Sequence, residues 1–247
     1  MGQSLSAADV SVSFEGLRAL SNVTLDVPRE RVTGLIGPNG AGKTTLVNVL
    51  TGFQKPTAGG VSLDGEPIAG LLPHQVRQRG IARTFQSGRL FPELSVLDNL
   101  EVTGVGLGLR RREAAKKADE MLEWIGIGHL AERLAGGLPY TDERRVAIGR
   151  ALMLAPKYLL LDEPAAGMSA EEASDLAKLI RRIIAEVKCG VLLIEHNIGL
   201  VLNICDYIHV LDSGEVIEVG PPSVIKASEK VRHAYMGTQA EAEGAVL

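Results

Sequence analysis

Near the start of the chain, apolar and polar positions alternate in "ADVSVSF" and "NVTLDV", which predicts edge strands within Leu5 to Val27. "RVTGLIGPNGAGKTTLVNVLTGF" then reads as a buried strand, a glycine-rich turn and an apolar helix, and "GGVSLDGEP" as a further short strand. From about Gly88 to Pro156 the chain is richer in Arg, Glu and Ala and reads as mainly helical: "REAAKKADEMLEWIGI" is amphipathic and "TDERRVAIGRALMLA" forms a second helix. Strong alternation follows, with strand "KYLLLDEP", helix "AEEASDLAKLIRRIIAEV", strand "GVLLIEH", helix "NIGLVLNIC" and strand "YIHVLDSG". In the first of those helices Leu176, Leu179, Ile180, Ile183, Ile184 and Val187 fall on one face. Strands that alternate with helices predict an α/β fold with a parallel sheet covered on both faces. The helix-rich middle reads as a lobe inserted into it. The chain is thus one domain, with a core over 1–87 and 156–247 and a helical lobe over 88–155.

Composition narrows the function. The 247 residues carry a net charge of −4, and the pI near 5.8 argues against a dedicated nucleic-acid binder. Cys189 and Cys205 are too few for a disulfide framework or a metal set, and read as reduced core thiols. The longest apolar runs are strand-sized, far below the ~20 residues of a membrane helix. The start lacks the basic and apolar regions of a signal peptide, and a cytosolic protein that spans no membrane is expected. "MGQSLS" matches the loose myristoylation pattern, which is short enough to recur by chance.

Gly37, Pro38, Asn39, Gly40, Ala41, Gly42, Lys43 and Thr44 fit G-x-x-x-x-G-K-[ST] between a strand and a helix, the context that the phosphate loop demands. The glycines let backbone N–H groups converge on phosphate oxygens, Thr45 joins these residues in binding the nucleotide, and the helix N-terminus adds positive potential. Lys43 is placed to reach the β- and γ-phosphates of ATP and Thr44 to offer its hydroxyl to Mg²⁺. "YLLLDEP" ends an apolar strand in two carboxylates, at the strand end where such sheets bind ligands. Asp162 suits the metal, through water, and Glu163 suits polarising the attacking water as a general base. His196, just past the next strand, reads as a hydrogen-bonding sensor beside the γ-phosphate. Gln86, in "ARTFQSG", lies where the chain leaves for the lobe; there it reads either as a hinge glutamine that touches metal or water or as an ordinary polar residue.

Together "GPNGAGKTT", "RTFQ", "LLLDEPAAG" and "LLIEHN" resemble the nucleotide-binding subunit of an ABC transporter over nearly the whole chain. "GLRAL", "LIGPNGAGKTTLVNVLTGF", "GIARTFQ", "LDEPAAG" and the closing "AYMG" are similar to the branched-chain amino-acid importer (LivG-type) subfamily. The resemblance implies a P-loop NTPase fold, with a RecA-like core, an antiparallel β portion near the N-terminus and the inserted lobe. It implies that Phe14 stacks on adenine, although unaided Phe14 reads as a core aromatic. It also implies an ATPase on the cytoplasmic face of the membrane, peripheral to permease subunits, which couple it to a solute-binding protein. In the family two subunits close head to tail over two ATP molecules, each held between one P-loop and the other subunit's signature loop. "SGRLFPELSVLDNL" is similar to the surface that receives the permease: Leu90, Phe91 and Leu94 are either exposed there or anchor the lobe. The basic run "RRREAAKK" reads as a solvated helix face.

The signature loop departs from the family. Leu138, Pro139, Tyr140, Thr141 and Asp142 stand where it has LSGGQ or a Tyr-Gly variant. Pro139 offers neither hydroxyl nor N–H, and Thr141 takes φ > 0 reluctantly. Asp142 at ~6 Å from a phosphate, with an effective dielectric near 20, repels it by about 2–3 kcal/mol before screening. Locally the stretch suits a helix start, with Thr141 as N-cap and Asp142 and Glu143 complementing the dipole. Ser169 stands where the family's D-loop has Asp or Asn. Since the groups that serve this chain's own nucleotide are intact, a heterodimer with a different ATPase subunit is expected, with a homodimer as the alternative. The competing functions are a nucleotide-switched subunit with little turnover and a soluble, non-transport ABC protein.

Overall fold

The computed structural model describes residues 3–86 and 88–235. Met1 and Gly2 of the myristoylation-like pattern, Ser87, and Met236 and Gly237 of "AYMG" lie outside them. The first half of the chain forms β1 (Ser4–Phe14), β2 (Leu17–Pro28), β3 (Val32–Ile36), α1 (Lys43–Leu50), β4 (Ala58–Leu63), β5 (Glu66–Pro67), α2 (Pro73–Gln78) and β6 (Ile81–Arg83). The lobe contributes α3 (Val96–Gly106), α4 (Arg111–Ile125) and α5 (Tyr140–Leu152). The chain then returns through β7 (Tyr158–Asp162), α6 (Ala170–Arg182), β8 (Gly190–Ile194), α7 (Ile198–Ile204), β9 (Tyr207–Asp212), β10 (Glu215–Gly220) and α8 (Pro222–Ala227).

Two sheets result. One is antiparallel, in the order β2-β1-β4-β5; the other runs β10-β9-β3-β8-β7-β6. Only part of the edge-strand expectation for Leu5 to Val27 holds. β2 is an edge, but β1 is paired on both sides: Leu5 opposes Val27 on one and Leu63 on the other. The larger sheet is parallel except for β10, which returns antiparallel to β9 through the tight turn at Ser213 and Gly214. A two-residue connection permits only that direction, since a parallel crossover needs a dozen residues or more.

The continuous apolar runs of β7 and β8 follow from burial on both faces. Leu159, Leu161, Val191 and Leu193 pack among the helices, whereas Tyr158, Leu160, Leu192 and Ile194 pack against α1 and the antiparallel sheet. Each such side chain contributes about 1.5–3 kcal/mol on leaving water. α4 buries Ala114, Ala118, Leu122 and Ile125 on one stripe and leaves the basic run at Arg110 to Arg112 in solvent. The apolar face predicted for "AEEASDLAKLIRRIIAEV" packs as expected, although its last turn, Ile183–Val187, relaxes into a π-helix. Both cysteines are free and buried. The parallel strands β3, β7 and β8 all end toward one rim of the sheet, and the loops leaving that rim carry the candidate site.

Candidate functional site

The P-loop links β3 to α1, and two of its glycines are fixed by space as well as by torsion. Gly37 has φ 153°, and a Cβ there would run into the Leu211 carbonyl. Gly42 has φ 101°, and a Cβ would lie 2.7 Å from Leu20 Cδ2 and 2.8 Å from the Ala19 carbonyl. The turn therefore delivers its backbone directly to the start of α1, where unpaired N–H groups favour an anion. Lys43 opens that helix and curls back over the loop, its Nζ donating to the carbonyls of Gly37 (2.6 Å) and Pro38 (2.8 Å). Burial lowers the Lys43 pKa, against which the charges of Glu163 and Asp162 act. Asn39, Gly40, Thr44 and Thr45 line a cleft of about 460 Å³, together with Leu17, Arg18 and Glu163.

Three strand exits converge beside this cleft. Gln86, beyond β6, donates from Nε2 to Glu163 Oε2 at 2.8 Å. His196, beyond β8, holds Nδ1 3.9 Å from the same oxygen. Glu163 itself follows β7 in the left-handed region at φ 47°. For a residue other than glycine, that conformation costs on the order of 1–3 kcal/mol and is kept only where the surroundings enforce it. Here its N–H donates to the Ile194 carbonyl at 2.9 Å, which aims the side chain at Gln86 and His196. The structure thus brings Lys43, Gln86, Asp162, Glu163 and His196 to one place, with Gln86 exposed and its amide on Glu163.

Two functional neighbours escaped the sequence reading. Arg83 pairs with Asp162 (Nη2–Oδ2 2.7 Å), both side chains being nearly buried, and its other arm donates to Asn48 Oδ1 of α1 at 2.7 Å. Glu195, fully buried, accepts N–H bonds from the loops on both sides of it. The one available signal was their place beside recognised residues, in "RTFQ" and "IEHN".

The donors fit a magnesium ion. The Thr44 hydroxyl and the Asp162 carboxylate are hard oxygen ligands, and Gln86 adds an amide oxygen. Among the described residues no cluster of three or more His, Cys, Asp or Glu could hold a metal.

The signature stretch corrects one expectation. α5 starts at Tyr140 with Pro139 as N-cap (φ −57°, ψ 150°), so Thr141 lies inside the first turn and is not the cap. The fixed φ of proline suits entry to a helix, and this moves the start toward the N-terminus. Among the described residues no side chain caps it. Asp142 and Glu143 do occupy the first turn, as expected from the dipole. Tyr140 is exposed, its ring lies 4.5 Å beneath the Arg144 guanidinium, and its hydroxyl accepts from Arg144 Nη2. Arg144 also donates to the Phe85 carbonyl (3.0 Å), and Arg150, farther along α5, to those of Gly88 (2.6 Å) and Arg89 (2.7 Å). α5 therefore grips the segment that carries Gln86. Ser169, the D-loop departure, caps α6 in a box with Glu172. A second cleft, of about 410 Å³, opens between α5 and α6 and is lined by Asp142, Arg145, Glu172 and Asp175.

Phe14 ends β1 paired with Leu17 and is 45 % exposed. Leu17 rather than Phe14 lines the cleft among the described residues. The three residues of the expected docking surface divide: Phe91 is exposed, Leu90 packs on the core and Leu94 is half-buried. No helix among the described residues is long and apolar enough to cross a membrane.

The sequence profile of the ABC transporter family matches residues 20–166. The chain is 42 % identical to the high-affinity branched-chain amino acid transport ATP-binding protein BraF of Pseudomonas aeruginosa, over 94 % of this chain and 97 % of that one. It is 40 % identical to the LivG protein of the same description from Escherichia coli, with the same coverage. Its fold superposes with a TM-score of 0.87 on an ATP-binding cassette of an ABC transporter in its ADP conformation, at 33 % identity and covering 96 % of this chain and 100 % of that one. With the phosphate loop and the converging strand exits, these matches make the chain a member of the ABC transporter family, an ATP-binding ATPase cassette of the LivG-type subfamily.

Proposed function

We propose that this chain powers an importer of branched-chain amino acids or related small polar solutes, acting at the cytoplasmic face of the membrane beneath permease subunits. The observation that carries the catalytic part is the convergence of Gln86 and His196 on one oxygen of Glu163 beside the P-loop cleft. In this reading Glu163 takes the proton of the attacking water, Gln86 orients that carboxylate, and His196 donates to the γ-phosphate. Lys43 exchanges the Gly37 and Pro38 carbonyls for phosphate oxygens, and the P-loop N–H groups hold the anion. Thr44, Asp162 and Gln86 would hold magnesium, whose charge would neutralise that of the phosphates. Phe14 stacks on adenine, a role supported by its exposure and by its pairing with Leu17, which lines the cleft.

What the chain offers a second subunit is weaker. α5 begins on Pro139, and its first turn carries Asp142 and Glu143 where an anion would dock. A partner ATPase with an unaltered signature loop completes the working site over this chain's nucleotide, so the assembly is a heterodimer. The decisive measurement is the solution mass of Glu163→Gln with and without Mg-ATP. A persistent monomer that binds ATP is expected, and an ATP-dependent homodimer overturns the heterodimer. The same acidic helix start favours a second reading, a nucleotide switch with little turnover. Single-turnover hydrolysis in the assembled complex decides it: turnover slower than release of bound nucleotide would favour the switch.

A further inference from the structure

Between the two loops that carry Glu163 and His196 lies a carboxylate with no access to solvent. Glu195 directly follows β8 and is 0 % exposed. Its Oε1 accepts the N–H of Ala165 at 2.7 Å, in the loop running from Glu163 to the Ser169 cap of α6. Its Oε2 accepts the N–H groups of His196 (3.2 Å) and Asn197 (3.4 Å), at the turn into α7. A buried carboxylate costs several kcal/mol unless its charge is matched. Here backbone donors from both sides match it. Burial raises its pKa and those donors lower it, the first effect being the larger. An apolar residue at this place would leave the Ala165 N–H without this acceptor, and the two loops would lose their shared anchor.

We propose that Glu195 is a positioning residue, a two-sided clamp that makes the Glu163–Ser169 loop and the His196 turn respond to the γ-phosphate as one unit. The proposal rests on the reading of Glu163 and His196 given above. Contact of His196 with a γ-phosphate displaces the turn at His196 and Asn197, and the carboxylate passes the displacement to Ala165. From there the loop runs on through Gly167 and Met168 to the start of α6. Gln is the informative replacement. Nearly isosteric, it keeps one acceptor oxygen but turns a donor NH₂ toward at least one backbone N–H, so one side of the clamp opens.

The test is hydrogen exchange of the full chain with Mg-ADP and with a non-hydrolysable Mg-ATP analogue, for the native protein, Glu195→Gln and Glu195→Asp. In the native protein the analogue is expected to slow exchange over both 163–169 and 195–198 by about fivefold or more relative to ADP. In Glu195→Gln the protection should persist over 195–198 and fall below about twofold over 163–169, with ADP affinity within about twofold of native. Joint protection of both segments in Glu195→Gln overturns the clamp. Absence of analogue-specific protection at 195–198 in the native protein instead overturns the reading of His196. If Glu195→Gln does not fold, Glu195→Asp is read by the same criteria; failure of both to fold assigns the carboxylate to the core alone and also overturns the proposal.

Discussion

Replacing Arg83 by methionine gives the sharpest energetic test of how the Asp162 carboxylate is held. Methionine keeps the apolar stem between Phe53 and Phe85 but removes the guanidinium, which lies 4.7 Å from the Phe85 ring centroid. It also removes the 2.7 Å ion pair with Asp162, whose side chain is only 12 % exposed and whose partner is 7 % exposed. Breaking a buried pair by removing one member costs about 3–5 kcal/mol, because the remaining charge is left unmatched. The lost ring contact adds ~0.5–1 kcal/mol, and the retained stem offsets a similar amount. Each kcal/mol lowers the Tm of a chain of this size by about 2–4 °C. Arg83→Met should therefore melt roughly 6–20 °C below the native protein. Asp162→Asn alone leaves the guanidinium without its counter-ion, whereas the double variant leaves neither charge of the pair. Thermal melts of all four proteins should accordingly show a coupling of about 2 kcal/mol, the double variant being more stable than the two single losses predict. Additivity within ~0.5 kcal/mol would refute the claim that the two groups stabilise each other.

Three further predictions follow from the same geometry. Gly37→Ala forces a Cβ against the Leu211 carbonyl, so ATP affinity measured by equilibrium titration should fall at least about tenfold, with the lobe unaffected. His209 is 6 % exposed, and burial lowers its pKa to about 4 from the usual 6.5. The folded state then binds fewer protons than the unfolded one between those values, so stability falls as pH drops through 6.5 toward 4. The loss by pH 5 is about 2 kcal/mol; urea midpoints at pH 7 and pH 5 should show it, and His209→Gln should remove that part of the difference. Asp142→Asn removes a charge from the first turn of α5 and should lower stability by ~0.3–1 kcal/mol while raising ATP-dependent association with a partner cassette, measured by sedimentation.

What could be read in the sequence was what depends on neighbours along the chain. The P-loop, the Asp162–Glu163 pair and His196 each sit at a strand exit marked by an apolar run, and the parallel direction implied by alternating strands and helices places those exits on one rim. Helix faces were legible for the same reason, as Leu176, Ile180 and Ile183 demonstrate. Arg83 and Glu195 were not, because their partners lie 79 and 30 residues away and no local pattern encodes the meeting. Thr141 was misread as a cap because its hydroxyl is locally favourable there, whereas the proline two residues earlier already sets the entry angle. β10 was missed for want of a strong alternation: Val216, Ile217 and Val219 are only partly buried at the sheet edge. The contact of the Gln86 amide with Glu163 was not legible either, since it joins segments 77 residues apart.

The grip of α5 on the segment around Gln86 has a kinematic consequence. Arg144 and Arg150 hold the carbonyls of Phe85, Gly88 and Arg89, so a displacement of the helix pulls on the segment at three carbonyls. The same segment carries the 2.8 Å bond from Gln86 to Glu163. A swing of the lobe that moves the segment by ~1 Å along that bond stretches it beyond hydrogen-bond reach. A sub-ångström shift of the lobe relative to β7 is thus enough to make or break the contact between Gln86 and Glu163.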